Sequence, residues 1–272
     1  MFDVAGSPTG IAVTATEIWA ASPRAGQISV LDARSGRPLG PPLTTGGTPA
    51  RIAPAATGAW VADTANGAVV AIRLRPRRRV FEPIPLGADV TDVALAARAV
   101  WAISSAEAVV RVLEPDGRPV RAVAVGSRPV ALDADERRVV VATAGDGGLT
   151  VIDARTRRPA GDPIRVGGTP VAVALAGDDA WVADAGRDAI VHVDLRRRAV
   201  DPPIPLDGVP VAIAADGDDV YAVDRDRMLV HVEAGEVRSR RPAGSRPTAL
   251  GLSAGHVWVA DAGAGTVMRF DR

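Results

Sequence analysis

The sequence predicts an all-β chain, a seven-bladed β-propeller of four-stranded antiparallel blades, on three observations. Trp-Val-Ala-Asp occurs at residues 60–63, 181–184 and 258–261, and weaker copies run through the whole chain. Aligning them puts Trp19, Trp60, Trp101, Val140, Trp181, Tyr221 and Trp258 in one column, at steps of 41, 41, 39, 41, 40 and 37 residues. All 5 tryptophans and the single tyrosine fall in that column, which random placement would not produce. A period near 40 built from short apolar runs is that of a propeller, one four-stranded sheet per repeat.

Each repeat reads as four strands, numbered outwards from the axis. In the second repeat these are 50–54, 59–63, 68–74 and 80–86. The turn between its second and third strands is Thr64-Ala65-Asn66-Gly67, whose Asn-Gly pair is a strong hairpin signal because both residues tolerate positive φ. Gly26, Gly147 and Gly265 serve the same turn in other repeats. A Gly-x-x-Pro connection links fourth strand to first, as in Gly46 with Pro49, Gly126 with Pro129, Gly167 with Pro170 and Gly244 with Pro247. Proline fits there because a strand's first residue can spare its N–H. The last repeat, 247–271, stops one strand short, and residues 2–6 match the fourth-strand ending Val123-Ala124-Val125-Gly126. The N-terminal strand is therefore expected to complete the last blade, making residues 1–272 one closed domain.

Composition narrows the function classes. The chain is 272 residues long and 47% hydrophobic, and its 28 Gly and 22 Pro break the apolar runs well short of the roughly 18 residues of a membrane span. No transmembrane segment is expected. Basic and acidic side chains balance at 32 each, giving no bulk field to favour nucleic acid or an anionic membrane. The absence of Cys removes disulfides, Cys-based zinc sites and thiol nucleophiles. Residues 1–6 lack the charged start and apolar core of a secretion signal. An extracytoplasmic location is expected if an upstream signal or anchor has been removed, and a cytoplasmic one otherwise.

The repeat resembles that of the bacterial YVTN/NHL-type propellers, with a Tyr- or Trp-Val-Ala second strand, a Val-x-Val-Ile-Asp third strand and an Ile-x-Val-Gly fourth. Val151-Ile152-Asp153 and Ile164-Arg165-Val166-Gly167 fit it closely. The resemblance implies a ligand- or protein-binding propeller, such as a sensor or scaffold module of an envelope or receptor-kinase system. More distantly it touches the virginiamycin B lyase-like propellers, which use His, Glu and magnesium at the channel mouth. Here His192 and His231 share a third-strand position and His256 begins a second strand, so none is expected to reach that mouth.

Candidate sites follow from breaks in the repeat. The Trp column is expected to be inter-blade packing rather than an aromatic cage. Asp63, Asp184, Asp224 and Asp261 end second strands where Ser22, Ser104 and Thr143 stand elsewhere, so turn capping is favoured over a cation-binding ring. Two residues past the connecting proline, five repeats carry Gly10, Ala131, Ala172, Ala212 or Ala249, small because first strands crowd the axis. Repeats two and three carry Arg51 and Asp92. These form either an ion pair filling the tapering channel or, with Thr48, Thr91, Arg128, Thr169 and Arg246, a site that orients a polar ligand. Asp133, a further charge within a first strand, adds to the second reading. Arginines crowd the third-to-fourth turns (Arg75 with Arg77 to Arg79, Arg155 with Arg157 and Arg158, Arg196 to Arg198, Arg238 with Arg240 and Arg241), facing carboxylates such as Asp135, Asp178 and Asp219, so mutual neutralisation is expected.

The function expected is non-catalytic binding of a protein, peptide or glycan at the channel mouth by a monomer, with no cofactor, no metal and no nucleic acid partner. The alternative is a divalent-metal-dependent lyase or hydrolase with its site at the same mouth.

Overall fold

The computed structural model describes residues 1–75, 78–87 and 89–272, so Arg77 lies outside the described residues. Seven antiparallel sheets follow one another along the chain as blades, and the second-to-third hairpin register within each is regular. In the second blade the strands are Pro49–Ala55, Gly58–Asp63 and Ala68–Arg73, followed by a fourth broken into Arg79–Val80 and Ile84–Pro85. The expected continuous fourth strand over 80–86 is thus interrupted. The same break occurs in blade four (Arg158–Pro159, Ile164–Arg165) and blade five (Ala199–Val200, Ile204–Pro205). Prolines cause it: Pro83, Pro163, Pro202 and Pro203 lie in the gaps and cannot donate to the ladder. Blade six, with no internal proline there, has an unbroken Glu236–Pro242.

The hairpin turn of blade two also differs from expectation. Gly67 has φ +54°, while Asn66 keeps a negative φ and uses its side-chain amide to donate to Asp63 Oδ2 at 2.7 Å. Positive φ is therefore needed at one position of this turn. Ala108, Asp188 and Arg227 occupy that position in other blades at φ +50° to +66°, so the left-handed conformation is kept there without glycine.

The tryptophan column packs between blades. Trp19, Trp101, Trp181, Tyr221 and Trp258 are almost wholly buried, and Trp60 is half-buried. The Trp181 indole N–H reaches into the next blade, donating to the Gly217 carbonyl oxygen at 3.2 Å. The ring closes as the two chain ends predict. Phe2–Asp3 pairs with Thr266–Asp271 in the register Phe2 with Val267 and Asp3 with Thr266, and the Phe2 ring lies 5.8 Å from that of Trp258.

Arginines strap neighbouring blades together on the face of the third-to-fourth turns. Arg75 pairs with Glu17 and Arg157 with Glu114, at 2.8 and 2.9 Å, while Arg78 donates to the Leu39 and Pro41 carbonyl oxygens. Arg137, Arg138 and Arg196 converge on Asp178. The expected neutralisation of this face is present, and the long guanidinium stems turn it into inter-blade contact.

Candidate functional site at the channel mouth

Each first strand is the inner edge of its blade, so its axis-facing N–H and C=O groups have no partner strand. In blades two to seven a register shift directly after the first residue bends this strand, as between Pro49 and Arg51 or between Val90 and Val93. The axis is crowded, as expected: a Cβ at Gly10 would run into the Ala50 carbonyl oxygen. One position further along, every blade contributes a branched aliphatic residue to the wall: Ile11, Ile52, Val93, Leu132, Val173, Ile213 and Leu250. They surround a central cavity of about 480 Å³.

Three charges interrupt that wall: Arg51, Asp92 and Asp133. Register places Arg51 opposite Ala62 and Asp133 opposite Val140. Arg51 and Asp92 therefore share a level, with Asp133 two residues deeper, about 7 Å along the strand. The expected ion pair between Arg51 and Asp92 is not formed. Arg51 donates to the Thr9 carbonyl oxygen at 3.3 Å and pairs with no carboxylate among the described residues. Asp92 is 7% exposed and accepts from Val93 N at 2.9 Å and Leu132 N at 3.0 Å. Asp133 repeats the arrangement one blade on, accepting from Ala134 N and Leu175 N, both at 2.8 Å. The competing interaction that wins is backbone satisfaction: each carboxylate supplies acceptors to inner-edge N–H groups that no strand can reach.

Burial raises the Asp92 carboxyl above the ordinary carboxylate range, with Arg51 pulling partly in the other direction. Burial also lifts Asp133, to about 6, and the neighbouring charge of Asp92 adds to the rise.

The remaining mouth residues divide. Thr48 belongs to a capping network: its N–H donates to Asp63 Oδ1 at 2.9 Å, and its hydroxyl accepts from Ala65 N at 2.7 Å. Thr169 N likewise donates to Asp184 Oδ1 at 2.7 Å. The Thr91 hydroxyl is buried without a partner among the described residues. Arg128 and Arg246 are exposed, and Arg246 makes one long contact to the Ala262 carbonyl oxygen at 3.4 Å. Asp261 accepts from the N–H groups of Ser245, Arg246 and Gly263, which overcome burial and hold its carboxyl below the usual range. Asp63, Asp184 and Asp261 thus act as caps joining turn to connection, whereas Asp224 accepts from Met228 N at 2.8 Å and pairs with Arg240.

The histidines lie toward the opposite face. His192 packs on Trp181 between Asp201 and Asp179, at 2.7 and 3.0 Å. Burial depresses its pKa, but the two carboxylates outweigh burial and raise it. His231 stacks on Tyr221 at 4.4 Å and meets Asp219 at 2.8 Å. His256 sits 3.3 Å from Asp271. Among the described residues no group of three or more His, Asp or Glu side chains is placed to hold a metal ion.

Sequence reasoning missed the exposed arginines contributed to this rim by second-to-third turns: Arg24, Arg225, Arg227 and Arg187, the last paired with Asp184. Reading that turn as a column, as was done for the Trp position, would have revealed them.

No family model and no curated protein matches the sequence. Solved structures do match in fold. Kuenenia stuttgartiensis hydrazine synthase superposes with a TM-score of 0.85 at 14% identity, over 100% of this chain and 97% of that one. A catalytically inactive virginiamycin B lyase from Staphylococcus aureus, solved with quinupristin, gives 0.84 at 13% identity, over 98% and 97%. BamB from Moraxella catarrhalis gives 0.70 at 15%, over 100% and 98%. What this chain shares with all three is the propeller fold, here in seven blades.

Proposed function

We propose that this chain is a non-catalytic binding module that takes a protein, peptide or glycan partner on its mouth face, in a sensor or scaffold role. The observation that supports it is the unpaired Arg51. A half-buried guanidinium lines a solvent-reached cavity, makes one backbone hydrogen bond, and has other N–H donors left over. Keeping such a group at the axis, where five other blades carry Gly or Ala, costs burial of charge that is offset inside the chain only by its field on Asp92, with which it makes no direct ion pair. A ligand oxygen docked over the channel would supply the missing acceptors, with Thr48, Thr91, Arg128, Thr169 and Arg246 around it. Propellers of this fold serve unrelated roles, so the reading rests on the site and not on the neighbours.

The test is a thermal-shift screen of peptides and oligosaccharides on the wild type and on the Arg51→Ala/Asp92→Ala variant. A ligand that stabilises the wild type and not the folded variant supports the reading. Ligands that stabilise both equally overturn this site.

A further inference from the structure

Four exposed arginines form an arc on the mouth face across blades six, seven and one: Arg225, Arg227, Arg246 and Arg24. Among the described residues none enters an ion pair, and the one side-chain hydrogen bond they make is the long Arg246 contact to the Ala262 carbonyl oxygen. On the opposite face Arg137, Arg138, Arg157 and Arg272 are neutralised by carboxylates, while the exposed Arg155 and Arg158 have no ion pair among the described residues and line neither groove. Two grooves share Arg246 as their common wall. One, about 340 Å³, runs between Val211, Arg225, Arg227, Pro247 and Thr248. The other, about 290 Å³, runs between Ser7, Thr9, Pro23 and Arg24. The Thr9 carbonyl oxygen also accepts the hydrogen bond of Arg51, so the second groove adjoins the Arg51 side of the channel. Asp226 and Asp207 are exposed carboxylates inside the arc, and the single charge of Arg240 is shared between Asp207 at 3.4 Å and the buried Asp224 at 3.0 Å, so the four arginines outnumber the carboxylates beside them. The arc therefore keeps an excess of unneutralised positive charge.

We infer that this arc is a docking surface for an acidic, extended peptide segment, with Asp or Glu carboxylates on Arg225, Arg246 and Arg24 and the intervening side chains in the two grooves. Guanidinium forks match carboxylates, and the hydroxyls of Ser7 and Thr9 add donors, whereas that of Thr248 already donates to the Pro8 and Ala260 carbonyl oxygens. An extended strand rises about 3.3 Å per residue, so a short segment can span three adjacent blades. Nucleic acid fits less well, because neither groove has an aromatic side chain on which a base could stack. A membrane surface fits less well because the exposed large apolar residues, Met1, Leu39 and Val237, lie outside both grooves. This inference rests on the mouth-face reading and gives its partner a chemistry.

The probe is a fluorescein-labelled hexaglutamate peptide, followed by anisotropy on the full chain at low and physiological ionic strength. Saturable, salt-weakened binding is expected, reduced at least about tenfold by Arg246→Glu and by Arg225→Glu. Arg246→Lys should lose less, and Arg155→Glu/Arg158→Glu on the opposite face should stay within about twofold. Circular dichroism and melting temperature confirm folding of each variant. No binding by the wild type, or equal loss in the opposite-face variant, overturns the inference. So does preferential binding of an oligonucleotide or of phosphatidylserine vesicles through the same arginines. A neutral ligand found on the mouth with no hexaglutamate binding rejects the arc while leaving the mouth-face reading standing.

Discussion

At the scale of single residues, chemistry that looks functional in the sequence is largely bound to the backbone. The four N–H groups around Asp261, from Ser245, Arg246, Gly263 and Ala264, lose their acceptor when it is shortened. Asp261→Ala should therefore cost roughly 2–4 kcal/mol of unfolding free energy in urea titration. Ser22 holds the same position in blade one, and its hydroxyl is buried without a partner among the described residues. Ser22→Ala should stay within about 0.5 kcal/mol, and a cost equal to that of Asp261→Ala would refute the capping account. Asp133 makes a pH prediction. Its folded pKa, about 6, lies above the ordinary value of 3.8, so the folded state holds the proton more tightly between those values. The resulting stability is complete below pH 3.8 and is lost as pH rises through about 6. Carboxylates held low in the fold, such as Asp32, Asp153 and Asp261, act in the opposite sense but cancel in a comparison with Asp133→Asn. The stability difference between the two proteins should change across that interval and be flat above it. A difference independent of pH would refute the raised pKa.

At the scale of elements, the N-terminal strand is two residues long in register yet closes the ring. It covers the outer edge of Thr266–Asp271, and Phe2 packs against Trp258 and beside Gly36. Deleting residues 1–5 exposes an unpaired edge and uncovers part of the last blade's aromatic contact. Calorimetry should show the melting temperature falling by roughly 6–12 °C, the equivalent of about 3 kcal/mol in a chain of this size. A shift under about 2 °C would mean that the ring is held by inter-blade packing alone. Phe2→Ala should give about half the effect, because the strand's hydrogen bonds survive while the ring contact is lost.

The whole molecule bears on the metal-dependent alternative. Asp92 and Asp133 are the carboxylates of the channel wall, and both oxygens of each already accept backbone N–H groups. Recruiting them to a cation would orphan donors on the inner strands, a penalty that binding must first overcome. Millimolar Mg²⁺ or Ca²⁺ should therefore leave the melting temperature unchanged. A rise of several degrees, abolished by Asp92→Asn, would restore the alternative. Inter-blade arginine pairs such as Arg157 with Glu114 are half-exposed, so raising salt should cost the ring little compared with its effect on acidic-peptide binding.

Blade number, the Trp column and closure by the first strand were legible because each depends on local pattern repeated seven times. A period near 40, Trp-Val-Ala-Asp strand ends and matching chain termini are one-dimensional records of the same inter-blade contact. The charged pair Arg51 and Asp92 was legible too, as a break in a column of small residues. Its bonding was not, because inner-edge N–H groups compete for Asp92 and exist only once neighbouring blades are placed side by side. The same holds for the pKa of Asp133, set by burial and by Asp92 on an adjacent blade. The arginine arc is the clearest case. Arg24 and Arg246 are 222 positions apart in the chain, and ring closure alone makes them walls of one groove.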